Sequence, residues 1–88
     1  MCKPILFSPG EIVATRGAVD LGINLIPYLF RHLAGDWGDL DEFDRQQNDL
    51  AIRDGSRILS AYSTPAGRLW IITEASRSTT TLLLPDEY

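Results

Sequence analysis

The chain has 88 residues, of which 44% are apolar, and its net charge is −4. This length allows one domain with a modest core, residues 1–88. The negative balance disfavours electrostatic binding to DNA, RNA or an anionic membrane, because that binding depends on neutralising phosphates. No apolar run approaches the roughly 20 residues that a membrane span needs. The N-terminal apolar stretch is also too short for a signal peptide, so we expect a cytoplasmic protein.

A single cysteine, Cys2, excludes an internal disulfide. It lies near a terminus and is expected to be an incidental thiol. An intermolecular disulfide on oxidation is the alternative for this residue.

The helical part of the predicted domain spans about residues 15–54. The β-branched residues at 11–15 fit either a fourth strand or the lead-in to a helix. Thr15 is the predicted N-cap of a short helix that runs from Arg16 to about Leu21. A second helix is predicted over residues 25–34, where apolar residues recur with helical spacing.

A third helix is predicted from Leu40 to about Asp54. Asp39 is its expected N-cap, with Glu42 three residues later as in a capping box. Gly55 is expected to end it. The apolar stripe of this helix is thin, and consists of Leu40, Phe43 and Leu50. We therefore expect the third helix to be the most exposed of the three.

The C-terminal part, residues 57–84, contains three β-type runs at 57–63, 68–74 and 79–84. Short turns join them, which predicts an antiparallel meander. Three strands alone would leave one face wet, so the helices are expected to cover it. The predicted fold class is α+β, with two to three short helices packed on a three- to four-stranded antiparallel β-meander.

Acidic residues are concentrated in the window 36–54, which holds seven acids and two arginines and has a net charge of −5. The rest of the chain therefore carries +1. Such a patch can dock on a basic protein surface, including one built to hold nucleic acid. The alternative is a solvated helix face, with first-turn acids favoured by the helix dipole. The predicted partner-binding residues are Asp36, Trp37, Asp39, Asp41, Glu42 and Asp44.

One histidine is present, and His32 lies one helical turn before Asp36. A histidine and a carboxylate can form a general-base pair, whereas the simpler interpretation is a helix C-terminal histidine bonded to Asp36 or to backbone. The chain lacks the ligands of a zinc site, and no spacing resembles a calcium-binding loop. We therefore predict no metal, no cofactor and no catalytic residue.

A second polar set lies in the predicted hairpins and consists of Tyr62, Trp70, Glu74 and Arg77. An exposed aromatic residue with an arginine is typical of binding hot spots. Trp70 lies on a central strand, where a tryptophan is more often part of the core. Glu74 and Arg77 bracket a turn and fit a local pair. With His32, the residues Tyr62, Glu74 and Arg77 form the alternative candidate site.

Four runs of the sequence resemble a known family: Arg31 to Asp39, Arg57 to Tyr62, Trp70 to Arg77 and Thr80 to Tyr88. The resemblance is to small "plasmid-related" proteins carried by plasmids, phages and integrated elements of bacteria, and it covers most of the chain from Gly10 onward. That family's second helix usually begins with Ser-Pro, whereas Ile26-Pro27 stands here. In size, charge and genetic context the chain is similar to anti-CRISPR and antirestriction proteins.

The resemblance and the acidic window together predict a non-enzymatic inhibitor of a host nucleic-acid-targeting complex, such as a type I CRISPR effector. The expected partner is a host complex with a basic DNA-binding surface, and binding is expected to block DNA access without direct contact to nucleic acid or membrane. One alternative is a small hydrolase or modifying enzyme that uses His32 and Asp36, with Arg77 as an anion clamp. Another is a regulatory binding module that forms a homodimer through an exposed sheet edge.

Overall fold

The computed structural model describes residues 4–88, so Cys2 lies outside the described part. In chain order the elements are β1 (Glu11–Ala14), α1 (Arg16–Asp20), α2 (Ile26–Leu33), α3 (Glu42–Asp54), β2 (Ile58–Thr64), β3 (Gly67–Thr73), β4 (Thr79–Leu83) and a short 3₁₀ turn (Pro85–Glu87). The predicted α+β class, with helices before the meander, is confirmed. Within residues 4–88, no helix combines the length and the apolar character that crossing a bilayer requires.

The sheet has the order β1-β4-β3-β2. The meander β2-β3-β4 is antiparallel, as predicted. The fourth strand, β1, pairs in parallel with β4, and Ile12 lies opposite Thr80. The prediction of a purely antiparallel sheet is therefore wrong at β1. A parallel pair requires a long crossover connection, and here the helices and the other two strands of the meander supply it.

The starts of α1 and α3 depend on side-chain caps. Thr15 caps α1 as predicted, since its Oγ1 accepts a hydrogen bond from the Ala18 N–H (3.2 Å). The N-cap of α3 is Asp41, whose Oδ1 accepts from the Asp44 N–H (2.9 Å), so the prediction of Asp39 is wrong. Asp39 is held elsewhere, because its N–H donates to the Ala61 carbonyl at the edge of β2 (2.7 Å).

Helices α1 and α2 cover one face of the sheet, which we call the closed face. Strand alternation and register assign it eight residues of the meander: Ile58, Ser60, Tyr62, Leu69, Ile71, Thr73, Thr80 and Leu82. All eight are buried, and Ala18 of α1 packs into the same cluster. The closed face is the main core of the protein.

Helix α3 lies along the outer edge of β2. Its buried residues are Asn48 and Ala51, and Ala51 packs in a second cluster with Trp37 and Ile58. Phe43 and Leu50, by contrast, are 67% and 51% exposed. Phe43 and Leu50 of the predicted stripe are therefore wrong as packing residues, whereas Leu40 does pack against the second cluster. The helix is docked by Ala51 and Ile52 in that cluster and by the hydrogen bonds of Asn48.

The opposite face of the meander, which we call the open face, is only partly covered. Leu59 and Ala61 of β2 belong to it, as do Trp70 and Ile72 of β3. Trp70 remains half-buried. This face carries the groove described below.

Candidate functional site

The histidine predicted as a candidate base lies in the closed face. His32 is fully buried, and its Nδ1 lies 2.6 Å from Ser60 Oγ while its Nε2 lies 2.9 Å from Thr73 Oγ1. Thr73 Oγ1 is also 2.8 Å from Thr80 Oγ1, which donates to the Pro9 carbonyl (2.7 Å). The four side chains and the Pro9 carbonyl form one hydrogen-bonded chain.

The carbonyl at the end of this chain fixes the direction of every proton in it. A carbonyl only accepts, so Thr80 donates to Pro9, and the Thr80 oxygen accepts from Thr73. Thr73 has then used its proton and must accept from His32 Nε2–H. Nδ1 of the neutral ring accepts from Ser60. Both ring nitrogens are therefore occupied, and neither can take a proton from a substrate.

Burial also keeps the His32 ring neutral. Desolvation, helped by the positive charge of Arg77, lowers the pKa of His32 from its ordinary value to about 3. A protonated His32 ring would be buried without water and without a carboxylate partner. Its second N–H would also require the hydrogen bond with Ser60 to reverse. His32 is thus a core residue rather than a solvent-accessible base.

Asp36 does not pair with His32. Its Oδ2 accepts from Arg31 Nε at 2.7 Å, and its Oδ1 accepts from the Gly38 N–H at 3.3 Å. Within residues 4–88 this is the single ion pair. The hydrogen bond that Arg31 donates to Asp36 raises the pKa of Arg31. The predicted general-base pair of His32 and Asp36 is therefore absent from the described structure.

Trp37 is not part of the surface. Its side chain is 3% exposed, and the indole Nε1–H donates to Asp49 Oδ1 at 3.0 Å. Phe7 stacks on it at 6.3 Å between ring centroids. The interpretation of Trp37 as a docking side chain is wrong, because the indole anchors the 36–39 turn under α3. In the sequence, the sign of this hydrogen bond is the presence of Asp49 twelve residues after Trp37.

The alternative site residues also have structural roles. Tyr62 is buried in the closed face, where burial raises its pKa, and its hydroxyl donates to the Asp36 carbonyl. The Arg77 guanidinium donates to the carbonyls of Ala51 (2.8 Å), Ser56 (2.7 Å) and Glu74 (3.1 Å). Arg77 thus holds the C-terminal end of α3 against the β3-β4 turn. It contacts the Glu74 carbonyl, not the carboxylate that the predicted local pair would require.

The four other acids among the predicted partner-binding residues are on the surface. Asp39, Asp41, Glu42 and Asp44 are all exposed. Arg45, the nearest arginine in sequence, forms no ion pair with them, because its guanidinium donates to the carbonyls of Leu40 (2.9 Å) and Gly38 (2.7 Å). We call these four carboxylates the acidic rim.

The acidic rim borders a groove of about 560 Å³ between α3 and the open face. Its lining is Asp39, Leu40, Asp41, Asp44, Gln47, Asn48, Leu59, Ala61, Arg68 and Trp70. Apolar side chains from β2 and β3 form the floor, carboxylates form one wall, and Arg68 is the only cation in the lining. Three of the four rim residues line this groove, so negative charge and apolar surface meet at one place.

Trp70 is the aromatic side chain of this groove. It lies on β3 opposite Ala61, and its ring is 5.7 Å from that of Tyr88 in an edge-on contact. The Arg57 guanidinium lies 5.4 Å from the Tyr88 ring. The C-terminal segment therefore supports one side of Trp70. Arg68, Leu59 and Gln47 line the groove but were not predicted from the sequence. For Arg68 and Leu59, the alternation of side chains along β3 and β2 was the available signal.

The lining side chains of the groove provide two kinds of ligand-binding group. They offer carboxylates for a cation and an indole for an aliphatic stem or a guanidinium. Within residues 4–88, no three histidine, cysteine, aspartate or glutamate side chains are grouped so that they could hold a metal ion. Comparison of the chain with family models, curated proteins and solved structures gave no match.

Proposed function

We propose that the protein is an inhibitor that binds a basic, nucleic-acid-binding surface of a host defence complex and blocks DNA access. The observation that carries this proposal is the acidic rim, whose carboxylates are exposed, form no ion pair with a described residue and border an apolar groove. A basic surface presents the matching chemistry, since lysine and arginine side chains combine a cation with an apolar stem. A type I CRISPR effector is the proposed target, by the resemblance to mobile-element proteins.

The mechanism is competition by charge. Lysines and arginines that hold DNA phosphates would instead bind the carboxylates of Asp39, Asp41 and Asp44, and one of their side chains would lie along the groove floor beside Trp70. Complementary charge accelerates association and fixes orientation. Inhibition should therefore weaken as salt rises, because exposed charges are screened.

The enzyme alternative has less support. His32 is buried with both ring nitrogens occupied, and Asp36 is paired with Arg31. The proposed anion clamp, Arg77, is bonded to three backbone carbonyls. These contacts favour binding over catalysis as the role of the protein.

The test is DNA binding by the purified type I effector complex of the host, measured by fluorescence anisotropy with and without the protein. Wild-type protein is expected to block binding of target DNA. The triple variant Asp41→Asn, Glu42→Gln, Asp44→Asn should inhibit roughly 10- to 100-fold less well, as expected for three rim charges. Asparagine at 41 preserves the helix cap, so the fold should be unchanged.

A matched control removes the same charge elsewhere. The variant Asp20→Asn, Glu74→Gln, Asp86→Asn changes three exposed acids outside the groove and should inhibit like wild type. Equal losses in the two triple variants would show that only net charge matters. Unimpaired DNA binding in the presence of wild-type protein would remove the proposal.

A further inference from the structure

The two edges of the sheet are finished differently. At β2, Asn48 of α3 donates to the Leu59 carbonyl (2.6 Å) and accepts from the Leu59 N–H (3.3 Å). Further along the same edge, the Ala61 N–H donates to the Trp37 carbonyl (3.2 Å), and the Ala61 carbonyl accepts from the Asp39 N–H (2.7 Å). The β2 edge is therefore capped by a side-chain amide and a loop.

The β1 edge has no such cap. Glu11 and Thr15 donate their N–H groups to Ser78 and Leu82 on the β4 side, both at 2.9 Å. Because successive residues of a strand alternate, the N–H and carbonyl groups of Ile12 and Ala14 face away from β4. No residue of the described range 4–88 hydrogen-bonds to them.

The side chains at this edge are apolar and exposed. Ile12 is 49% exposed and Val13 is 40% exposed. The strand carries no lysine, no proline and no bulge, so its protection from pairing is limited to its length of four residues and to the charge of Glu11. Open backbone groups and apolar side chains therefore lie on the same side of the protein.

We propose that β1 pairs with β1 of a second copy of this chain, antiparallel, with Val13 on the twofold axis. In this register Ile12 of each copy lies opposite Ala14 of the other, and the outward N–H and carbonyl groups make four hydrogen bonds. The two Val13 side chains meet in a non-hydrogen-bonded pair, where Cβ atoms are closest.

The contact is self-complementary in this register. Glu11 of one copy lies opposite Thr15 of the other, near Arg16 and near the Glu87 carboxylate, which accepts from the Thr15 hydroxyl (2.6 Å). Each Glu11 therefore meets one positive and one negative charge, and the apolar Ile12, Val13 and Ala14 between them carry the pairing. Glu11 and Arg16 are exposed, and neither has an ion-pair partner within residues 4–88. A twofold interface requires this kind of self-complementary patch.

The net negative charge of the chain does not oppose this contact. The acidic rim belongs to α3 and the β2 side, which is the far edge in the order β1-β4-β3-β2. The dimer would join two sheets into one of eight strands and leave the two grooves at its outer ends. Both grooves remain open, so a dimer presents two binding sites to a repeated basic surface.

Sedimentation velocity from micromolar to submillimolar concentration tests the proposal on the full chain. Wild type is expected to reach twice the chain mass of 9.8 kDa. Ala14→Pro removes an outward N–H but no bond to β4, and Val13→Lys places a charge on the axis, so each variant should stay monomeric. Circular dichroism identifies a variant that fails to fold, in which case the other carries the test.

A crosslink tests the register. In a Cys2→Ser background, Val13→Cys should form an intermolecular disulfide on mild oxidation, because its two copies face each other across the axis. Val19→Cys, on the exposed surface of α1, should not. A wild-type chain that is monomeric at every concentration would overturn the proposal. So would a dimer that persists in folded Ala14→Pro and Val13→Lys, or one that crosslinks only through Val19→Cys.

Discussion

Under α1 and α2, the closed face buries a histidine, a serine and two threonines, whereas the open face beside α3 leaves three carboxylates and an arginine in a groove. On the closed face each polar group is used by another, from Ser60 through His32 to the Pro9 carbonyl. On the open face the carboxylate of Asp44 and the guanidinium of Arg68 have no hydrogen-bond partner within residues 4–88.

This difference shows that residue type alone does not identify a functional site. His32 is the side chain most typical of catalysis, yet its position makes it structural. The aspartates of the acidic rim are ordinary surface residues that form no ion pair within residues 4–88. Asp44 has no side-chain hydrogen bond there, whereas Asp39 accepts one from Ser63 (2.6 Å) and Asp41 caps α3. What decides the role is whether the polar atoms are already bonded inside the protein.

The largest expected effect comes from breaking the closed face. His32→Ala removes two buried hydrogen bonds, leaves Ser60 and Thr73 without their partner and opens a cavity. We expect a loss of about 4 kcal/mol in the free energy of unfolding, measured by urea denaturation. Such a loss is a large part of the roughly 5–15 kcal/mol typical of a domain.

The matched change on the open face is Gln47→Ala. Gln47 lines the groove and is exposed, so its replacement should change the free energy of unfolding by less than about 0.5 kcal/mol. Similar losses in the two variants would mean that the faces do not differ as described.

The next effect concerns the attachment of the groove wall. The Asn48 amide makes both hydrogen bonds between α3 and Leu59 of β2. Asn48→Ala should cost about 2–3 kcal/mol in unfolding free energy. Asn48→Asp should cost at least as much at neutral pH, since it turns a carboxylate oxygen toward the Leu59 carbonyl. Urea denaturation that left both variants close to wild type would show that α3 is held by other contacts.

The local parts of the fold were predictable from sequence. The meander strands, the Thr15 cap and the Gly55 helix end each depend on a few adjacent residues, and Gly55 has the expected positive φ of 81°. The β1 pairing was not predictable in the same way. It joins residues 11–14 to residues 79–82, and a four-residue strand carries too little pattern to specify its partner.

The candidate site was only partly predictable, for the same reason. The acidic composition identified Asp39, Asp41, Glu42 and Asp44 as a surface, because charged side chains at a helix start are usually solvated. The burial of Trp37 depends on Asp49 and Phe7, which composition does not relate to it. Ser60 did give a signal, since it alternates with Ile58 and Tyr62 at an inward position and therefore needed a buried partner.

The smallest effect is the pH dependence of the closed face. The pKa of His32 is lowered by burial from 6.5 to about 3 in the folded protein, so between these values the unfolded chain binds a proton that the folded protein does not. The contribution of the neutral His32 ring to the free energy of unfolding is therefore complete above pH 6.5 and is lost as the pH falls toward 3. Each pH unit within this window costs up to about 1.4 kcal/mol, which amounts to about 2 kcal/mol between pH 7 and pH 5.

Urea denaturation of wild type and His32→Gln at pH 7, 6 and 5 checks this expectation. Glutamine keeps a donor and an acceptor but does not titrate, so the variant should be less stable at pH 7 and nearly flat down to pH 5. The two curves should approach each other as the pH falls, since wild type loses the advantage of a neutral ring. Parallel curves would mean that the pKa of His32 is the same in the folded and unfolded chain, so that burial does not keep the ring neutral. That result would also return it to consideration as a base.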